Sequence, residues 1–341
     1  MSRTFGWVEI HAVDHCNNNC DSCHNFSPLA PKRDYDAAEY FHGLDILAAN
    51  NVCFPTISIM GGEPFLHPDL PRFASRLKER YPNKRLLCTT NCFWLGEQDI
   101  AHFDDFWRRL NTLTVSVYPN MVHKIGGMER FRALLAQIQK RHPHLELFLP
   151  DKHVFRSLSF FNEPRPVNYH CPNAECTCLL TDGRMARCGA GAFQHFSQEI
   201  TPAFAASAQM FYDLNRFDWQ QFWLWRKRYP LDACPYCGLV LGQPVQWKVQ
   251  KGVPYRKDYE AEYHVRVAEH VFTQGDPATA LARLRHALEL APDSAEALND
   301  LGAIYAHLGR RDKARACLEK ALELQPDFPS ARDNLAVLLR S

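Results

Sequence analysis

The chain has 341 residues, enough for two or three domains, and its 46% hydrophobic and 23% charged residues are the balance of a globular protein rather than a disordered one. A formal net charge of +1 with no long basic run leaves no electrostatic footprint for nucleic acid or an anionic membrane. No apolar stretch is long enough to span a bilayer, and the opening MSRTFGWVEIHAVDHC does not read as a secretory leader, so a cytoplasmic location is expected.

In chain order, short β-branched or apolar runs at 7–13, 56–60, 85–90, 112–118 and 145–150 read as strands, and 154–160 as a sixth. Between them, 35–50, 70–80, 97–110 and 127–141 carry helical patterns. Strands separated by helices of this length imply parallel βαβ units, hence an α/β fold: a partial (β/α)6 TIM-type barrel over residues 1–163. Its active site belongs at the carboxyl ends of the strands. There stand Cys16, Cys20 and Cys23 after the first strand, GGEP after the second and TNC after the third. Residues 164–250 lack this rhythm and hold six of the thirteen cysteines, as a small metal-stapled domain would. The tryptophans of FDWQQFWLWRKRYP in this region read as packing. Residues 258–341 repeat: HALELAPDS and KALELQPDF are offset by 34 residues. Leu298, Leu301, Gly302, Tyr305, Ala314, Leu318, Ala321 and Pro326 fall at tetratricopeptide positions, and PSARDNLAVLLR follows as a capping helix, so an all-α repeat tail is expected.

Clustered thiols in a reducing compartment point to metal or iron–sulfur ligation rather than disulfides. Cys16, Cys20 and Cys23 are one ligand short of the usual zinc set, and His15 or His24 could complete it only with strain, because each adjoins a cysteine. A [4Fe–4S] cluster on three thiolates leaves one iron open to a chelating small molecule.

CNNNCDSC has the C-x3-C-x2-C spacing of the radical S-adenosylmethionine (SAM) superfamily, and MGGEP at 60–64 resembles its glycine-rich motif. TTNC at 89–92 is similar to its third-strand turn, with Cys92 in place of glycine. The resemblance covers about residues 5–160. It implies that Cys16, Cys20 and Cys23 hold a [4Fe–4S] cluster whose open iron is chelated by SAM. It further implies Gly61 and Gly62 close to the methionyl end and Glu63 near the amino group. Asn91 and Ser116 are candidates for SAM contacts, or ordinary turn and strand-end residues. Reduction would cleave SAM to methionine and a 5′-deoxyadenosyl radical that abstracts hydrogen from substrate, with flavodoxin or ferredoxin as electron donor. The family's aromatic before the third cysteine is here Ser22, so Phe26 or His24 is expected to pack on the adenine.

CPNAECTCLLTDGRMARC followed by CPYC resembles the SPASM and twitch auxiliary-cluster domains. The resemblance implies a second [4Fe–4S] cluster on Cys188, Cys234, Cys237 and one of Cys171, Cys178 or Cys176, in that order of preference. Zinc remains the alternative for four thiolates. Cys92 is either a hydrogen-atom donor or a buried small hydrophobe, and His153 either an acid–base group or a loop histidine. Peptide or protein modification by oxidation, crosslinking or epimerisation is expected, with the repeats docking the substrate. The alternatives are oxidation or epimerisation of a carbohydrate or other small metabolite, and a non-catalytic scaffold.

Overall fold

A computed structural model of the chain describes residues 5–167, 170–171, 173 and 177–340. It divides into two compact units, Met1–Pro254 and Tyr255–Ser341.

The first unit is built on five parallel strands, β1 (Trp7–Val13), β2 (Thr56–Gly61), β3 (Arg85–Thr90), β4 (Thr112–Val115) and β5 (Glu146–Phe148), lying in the order β5-β4-β3-β2-β1. Val8 pairs with Ile57, Ile57 with Leu86, and Cys88 with Leu113. β1 is buried from Val8 to Val13, as expected for a parallel strand covered on both faces. The crossover helix Leu70–Arg80 starts where the Asp69 side chain accepts the Arg72 N–H. It buries Leu70, Phe73, Ala74 and Leu77, and ends with Lys78 and Arg80 near its carbonyl end. The helix expected over 97–110 is two, Glu97–His102 and Asp104–Arg109. The break lies at Phe103, whose ring sits edge-on to Phe65 (4.9 Å) and Trp94 (5.8 Å) in an aromatic cluster that also holds Trp107.

The sixth strand departs from expectation. β6 forms only over Val154–Arg156, with Val154 half exposed, and so carries too little apolar surface for a place in the sheet. The free edge of β1 is instead taken by the cysteine-rich segment. β7 (Cys178–Leu179) pairs parallel with β1 through Glu9 and Cys178, and β8 (Arg184–Ala186) and β9 (Phe211–Asp213) follow antiparallel. Gly183 makes the β7–β8 turn at φ 81°, where the αL conformation favours glycine. β10 (Pro244–Gln246) pairs antiparallel with β6. Within residues 164–250, β7, β8 and β9 thus share one sheet with the barrel strands, while β10 forms a second, two-stranded sheet with β6.

The second unit is five antiparallel-connected helices, Lys257–Thr273, Pro277–Leu290, Ala295–His307, Arg311–Leu324 and Pro329–Arg340. Ala268, Ala280, Leu284, Ala287, Leu301, Ala314 and Leu318 form its core. A Cβ on Gly302 would stand 2.7 Å from Leu318 Cγ, so only glycine lets these helices approach so closely. Among the described residues no helix is long and apolar enough to cross a membrane.

Asp300 in this unit is crowded by other carboxylates. Burial first, then the neighbouring Glu269 and Glu296, push its carboxyl up to about 7. A folded-state pKa raised above the unfolded one favours folding below the unfolded value, and that contribution is lost as pH rises to about 7. Asp300→Asn is therefore expected to stabilise the repeats at pH 8 by on the order of 1–2 kcal/mol and to change little at pH 4. Chemical denaturation at the two pH values checks this; an equal effect at both would refute it.

Candidate active site

The loop after β1 carries Cys16, Cys20 and Cys23, and all three thiols line a cavity of about 480 Å3 at the carboxyl ends of the strands. Gly61 and Gly62 from β2, Asn91 from β3, and Ser116 and Tyr118 from the end of β4 join them on its wall. The loop is shaped by its own backbone and by one distant side chain. Ser22 and Phe26, on either side of Cys23, both adopt the left-handed conformation (φ 59° and 51°), uncommon for non-glycine residues. Asn18 N–H donates to Cys16 Sγ (3.3 Å), Trp247 Nε1 donates to Cys20 Sγ (3.2 Å), and the backbone N–H groups of Asn25, Phe26 and Ser27 point at Cys23 Sγ. Burial is the main force on all three thiols, and it pushes Cys20 up to about 12.

The two glycines serve the loop more directly than the resemblance implies. Gly62 N–H donates to Val13 O (2.9 Å) and Glu63 N–H to His15 O (3.1 Å), so the second-strand turn lies against the backbone leading to Cys16. A Cβ would stand 1.9 Å from Val13 O at Gly61 and 1.8 Å from His15 O at Gly62, and Gly61 has φ 124°. No side chain fits either position.

Glu63 is fully buried and is not on the cavity wall. Its Oε1 accepts from Thr90 Oγ1 (2.6 Å) and Phe65 N–H (3.1 Å), and Oε2 accepts from Asn91 N–H (2.6 Å). Burial raises this carboxyl to about 7. The resemblance places it near an amino group of the ligand; in this structure the carboxylate pins the end of β3. The Asn91 side chain is thereby aimed at the cysteine loop, donating to Asn17 Oδ1 (2.8 Å) and Cys16 Sγ (3.7 Å). Ser116 N–H donates to Thr90 O (2.8 Å), which fixes the next strand end beside it.

Three other expectations change. Cys92 is fully buried, holds the left-handed conformation (φ 63°) that the third-strand turn requires, and does not reach the cavity; a hydrogen-donor role has no geometric support. His153 projects from the surface, where its ring Nδ1 is bound to the Asp151 carboxylate, and also misses the cavity; its carbonyl accepts Trp247 N–H (2.7 Å). Phe26 packs with Cys171, Cys178, Cys237 and Phe204 in the neighbouring core rather than on the cavity, whereas His24 does line it. His24 is held neutral, its pKa depressed to about 4 by burial and by Lys152. Ser22, which stands where the family's aromatic is expected, accepts the Leu158 N–H (3.3 Å) at its hydroxyl. His15, one zinc alternative, is turned away, its Nδ1 accepting Arg33 N–H (3.2 Å).

The sequence reading missed Tyr118, Trp247, Lys152 and Asn173. Only Lys152 and Asn173 had a signal, as polar residues beside noted motifs; Tyr118 and Trp247 depend on chain crossings that spacing does not encode.

A second group of thiols, Cys171, Cys188, Cys234 and Cys237, lines a small apolar cavity with Phe204, Met210, Leu231 and Leu239. The Ala190 and Gly191 N–H groups point at Cys188 Sγ, and Leu231 N–H donates to Cys234 Sγ (3.3 Å). Burial pushes Cys188 up to about 12, with Cys171 and Cys234 adding to the rise. Cys178 is not in this group: it sits in β7 and donates to Glu9 Oε1 (3.3 Å), so its place as a ligand candidate is corrected. Cys176 lies outside the described residues.

Both thiol groups suit iron–sulfur clusters: soft sulfur donors, N–H groups aimed at the sulfurs, and low polarity around them. Among the described residues no three His, Cys, Asp or Glu side chains are packed closely enough to enclose a single metal ion. The first group opens into the larger cavity, where a chelating ligand has room; the second lines a far smaller space of about 20 Å3.

Residues 10–139 match the radical SAM superfamily, and residues 271–338 match the tetratricopeptide repeat. Among curated relatives, the GTP 3′,8-cyclase of Sulfurovum sp. (strain NBC37-1) is 28% identical over 140 residues, 40% of this chain and 43% of that protein. The GTP 3′,8-cyclase of Sulfurimonas denitrificans (strain ATCC 33889 / DSM 1251) is 27% identical over 135 residues, 39% and 42%. The chain therefore spans less than half the length of these relatives. Among solved structures, BtrN in complex with AdoMet and 2-DOIA aligns over 70% of this chain and 94% of its own, with 17% identity and a TM-score of 0.44. MamA aligns over 24% and 47%, with 26% identity and a TM-score of 0.23. The cysteine loop, the glycine turn and the ends of the third and fourth strands thus lie in a radical SAM superfamily domain, and residues 271–338 in a tetratricopeptide repeat region.

Proposed function

We propose that this enzyme reductively cleaves SAM at Cys16, Cys20 and Cys23 and uses the resulting radical to oxidise a small polar substrate bearing an anionic group. The observation that carries this reading is the cavity wall. Beside the three thiols it presents Lys152 and Arg156, while Glu9 is the single carboxylate among the described lining residues. Bound there, the cluster would supply the electron that cleaves the sulfonium C–S bond, yielding methionine and a 5′-deoxyadenosyl radical. The chain's own residues do the rest. Asn91 and Gly62 fix the loop, Lys152 and Arg156 hold the anionic end of the substrate, and Glu9 is placed to take a proton. For an alcohol the balance closes as one hydrogen atom to the radical, one proton to a base and one electron to a second cluster at Cys171, Cys188, Cys234 and Cys237. The relatives named as GTP cyclases support an anionic small molecule, since GTP is one.

A second reading is modification of a peptide or protein. It is favoured by the tetratricopeptide repeat, whose stacked helices are a protein-interaction surface. One experiment separates the two. Reduced, anaerobic full-length protein is given SAM with panels of phosphorylated or carboxylated sugars and nucleotides, and separately with short peptides. The first reading requires 5′-deoxyadenosine formation stimulated by an anionic small molecule that is itself oxidised. Stimulation and mass change confined to peptides would replace it with the second, and no 5′-deoxyadenosine with any substrate would remove both.

A further inference from the structure

We propose that Trp247 is a positioning residue that, with Tyr118, sets the reduction potential of the cluster held by Cys16, Cys20 and Cys23. The proposal rests on the radical SAM reading of those three thiols. Trp247 lies far along the chain, past Cys237, yet its indole Nε1 donates to Cys20 Sγ at 3.2 Å. The Tyr118 hydroxyl is a second side-chain donor to the same sulfur. No other cysteine of the loop receives side-chain donors from two separate elements among the described hydrogen bonds.

The placement of Trp247 is built, not incidental. The segment that carries it runs beside the cysteine loop as a strap. Asp21 N–H donates to Lys248 O (2.9 Å), Gln250 N–H donates to Asn19 O (2.7 Å), and Cys20 and Val249 form an isolated antiparallel bridge. Asn19 Nδ2 closes the strap by donating to Val253 O (2.6 Å). Upstream, β10 pairs with β6, and Trp247 N–H is bound by His153 O (2.7 Å). The indole is therefore fixed from both sides. The Tyr118 ring stands 6.1 Å from the rings of both Trp247 and Phe155, so Cys20 is screened by aromatic carbon as well as hydrogen-bonded.

The physical consequence follows from charge. On reduction a cluster gains one negative charge, much of it on sulfur. Donors aimed at a ligating sulfur stabilise the reduced form and raise the potential. Removing a donor should make the cluster harder to reduce without removing a ligand.

Trp247→Phe tests this, because it deletes the N–H and keeps a ring to pack on Tyr118. Full-length protein carrying its clusters is titrated electrochemically under EPR, and the signal that changes on adding SAM identifies the cluster on the cysteine loop. The expected result is a lower midpoint for that signal, read as a several-fold smaller reduced fraction at a fixed poise, with the signal of the other cluster unmoved. An unchanged midpoint with full iron content overturns the proposal. Should Trp247→Phe assemble no cluster on the loop, Tyr118→Phe is read the same way, and an unmoved midpoint there overturns it equally. Wild-type protein that shows no SAM-sensitive cluster would instead refute the reading on which the proposal rests.

Discussion

Cys20→Ala is expected to abolish formation of 5′-deoxyadenosine while leaving the protein with about half of its iron, because the four thiols around Cys188 are untouched. Cys20 is the informative member of its trio. It lies in the middle of the loop, and its sulfur is tied to Trp247 and Tyr118, so its loss removes a ligand together with two side-chain contacts, while the backbone bonds of the strap remain. Cys188→Ala is the mirror experiment. On the proposed reaction SAM cleavage should survive, uncoupled from substrate oxidation, because the electron leaving the substrate would have lost its acceptor. Iron content, 5′-deoxyadenosine and product are measured on the same samples, with a thermal melt to confirm folding. Retention of SAM cleavage in folded Cys20→Ala would sink the assignment of the loop. Equal loss of cleavage in both variants would remove the division of labour between the two thiol groups.

Gly62→Ala is the second substitution with a large expected effect, and it contains no chemistry at all. A methyl group at this position meets a backbone oxygen at 1.8 Å, and the oxygen belongs to His15, next to the first ligand. Neither partner is a flexible side chain that can swing away. The turn after β2 and the loop after β1 must separate, breaking the bonds from Gly62 N–H to Val13 O and from Glu63 N–H to His15 O. The destabilisation should be on the order of 3 kcal/mol or more, the upper end of what overpacking costs. Iron incorporation at the loop should fail with it. Gly6→Ala is the control, since its added Cβ would meet nothing within 4 Å. Urea unfolding of the two variants, with iron counted after reconstitution, decides the matter; a Gly62→Ala protein as stable and iron-rich as Gly6→Ala would contradict the close approach described.

Much of this protein is written in short-range patterns. The C-x3-C-x2-C spacing, the glycine pair and the 34-residue repeat are local, and each works through constraints that reach only a few residues: ligand spacing, lack of a Cβ, helix crossing. The five parallel strands are legible for the same reason, since their hydrophobic runs alternate with helical ones. The sequence alone therefore determined the barrel strands, the cysteine loop, the second thiol set apart from its fourth member, and the repeats.

What only the tertiary structure decided depends on contacts between residues distant in the chain. Which strand covers the edge of β1 is one such choice: the cysteine-rich segment takes it through Glu9 and Cys178, and the weakly apolar Val154–Arg156 does not. That pairing also removes Cys178 from the second thiol group and leaves Cys171 in it. Glu63, Cys92 and His153 carried motif-level expectations, but burial at the strand ends took the first two side chains off the cavity wall and the third projects to the surface. Tyr118 and Trp247 reach Cys20 from distant parts of the chain. A spacing rule can state which residues are able to bind a cluster. Which groups surround it is set by long-range packing, where a single strand exchange changes every neighbour.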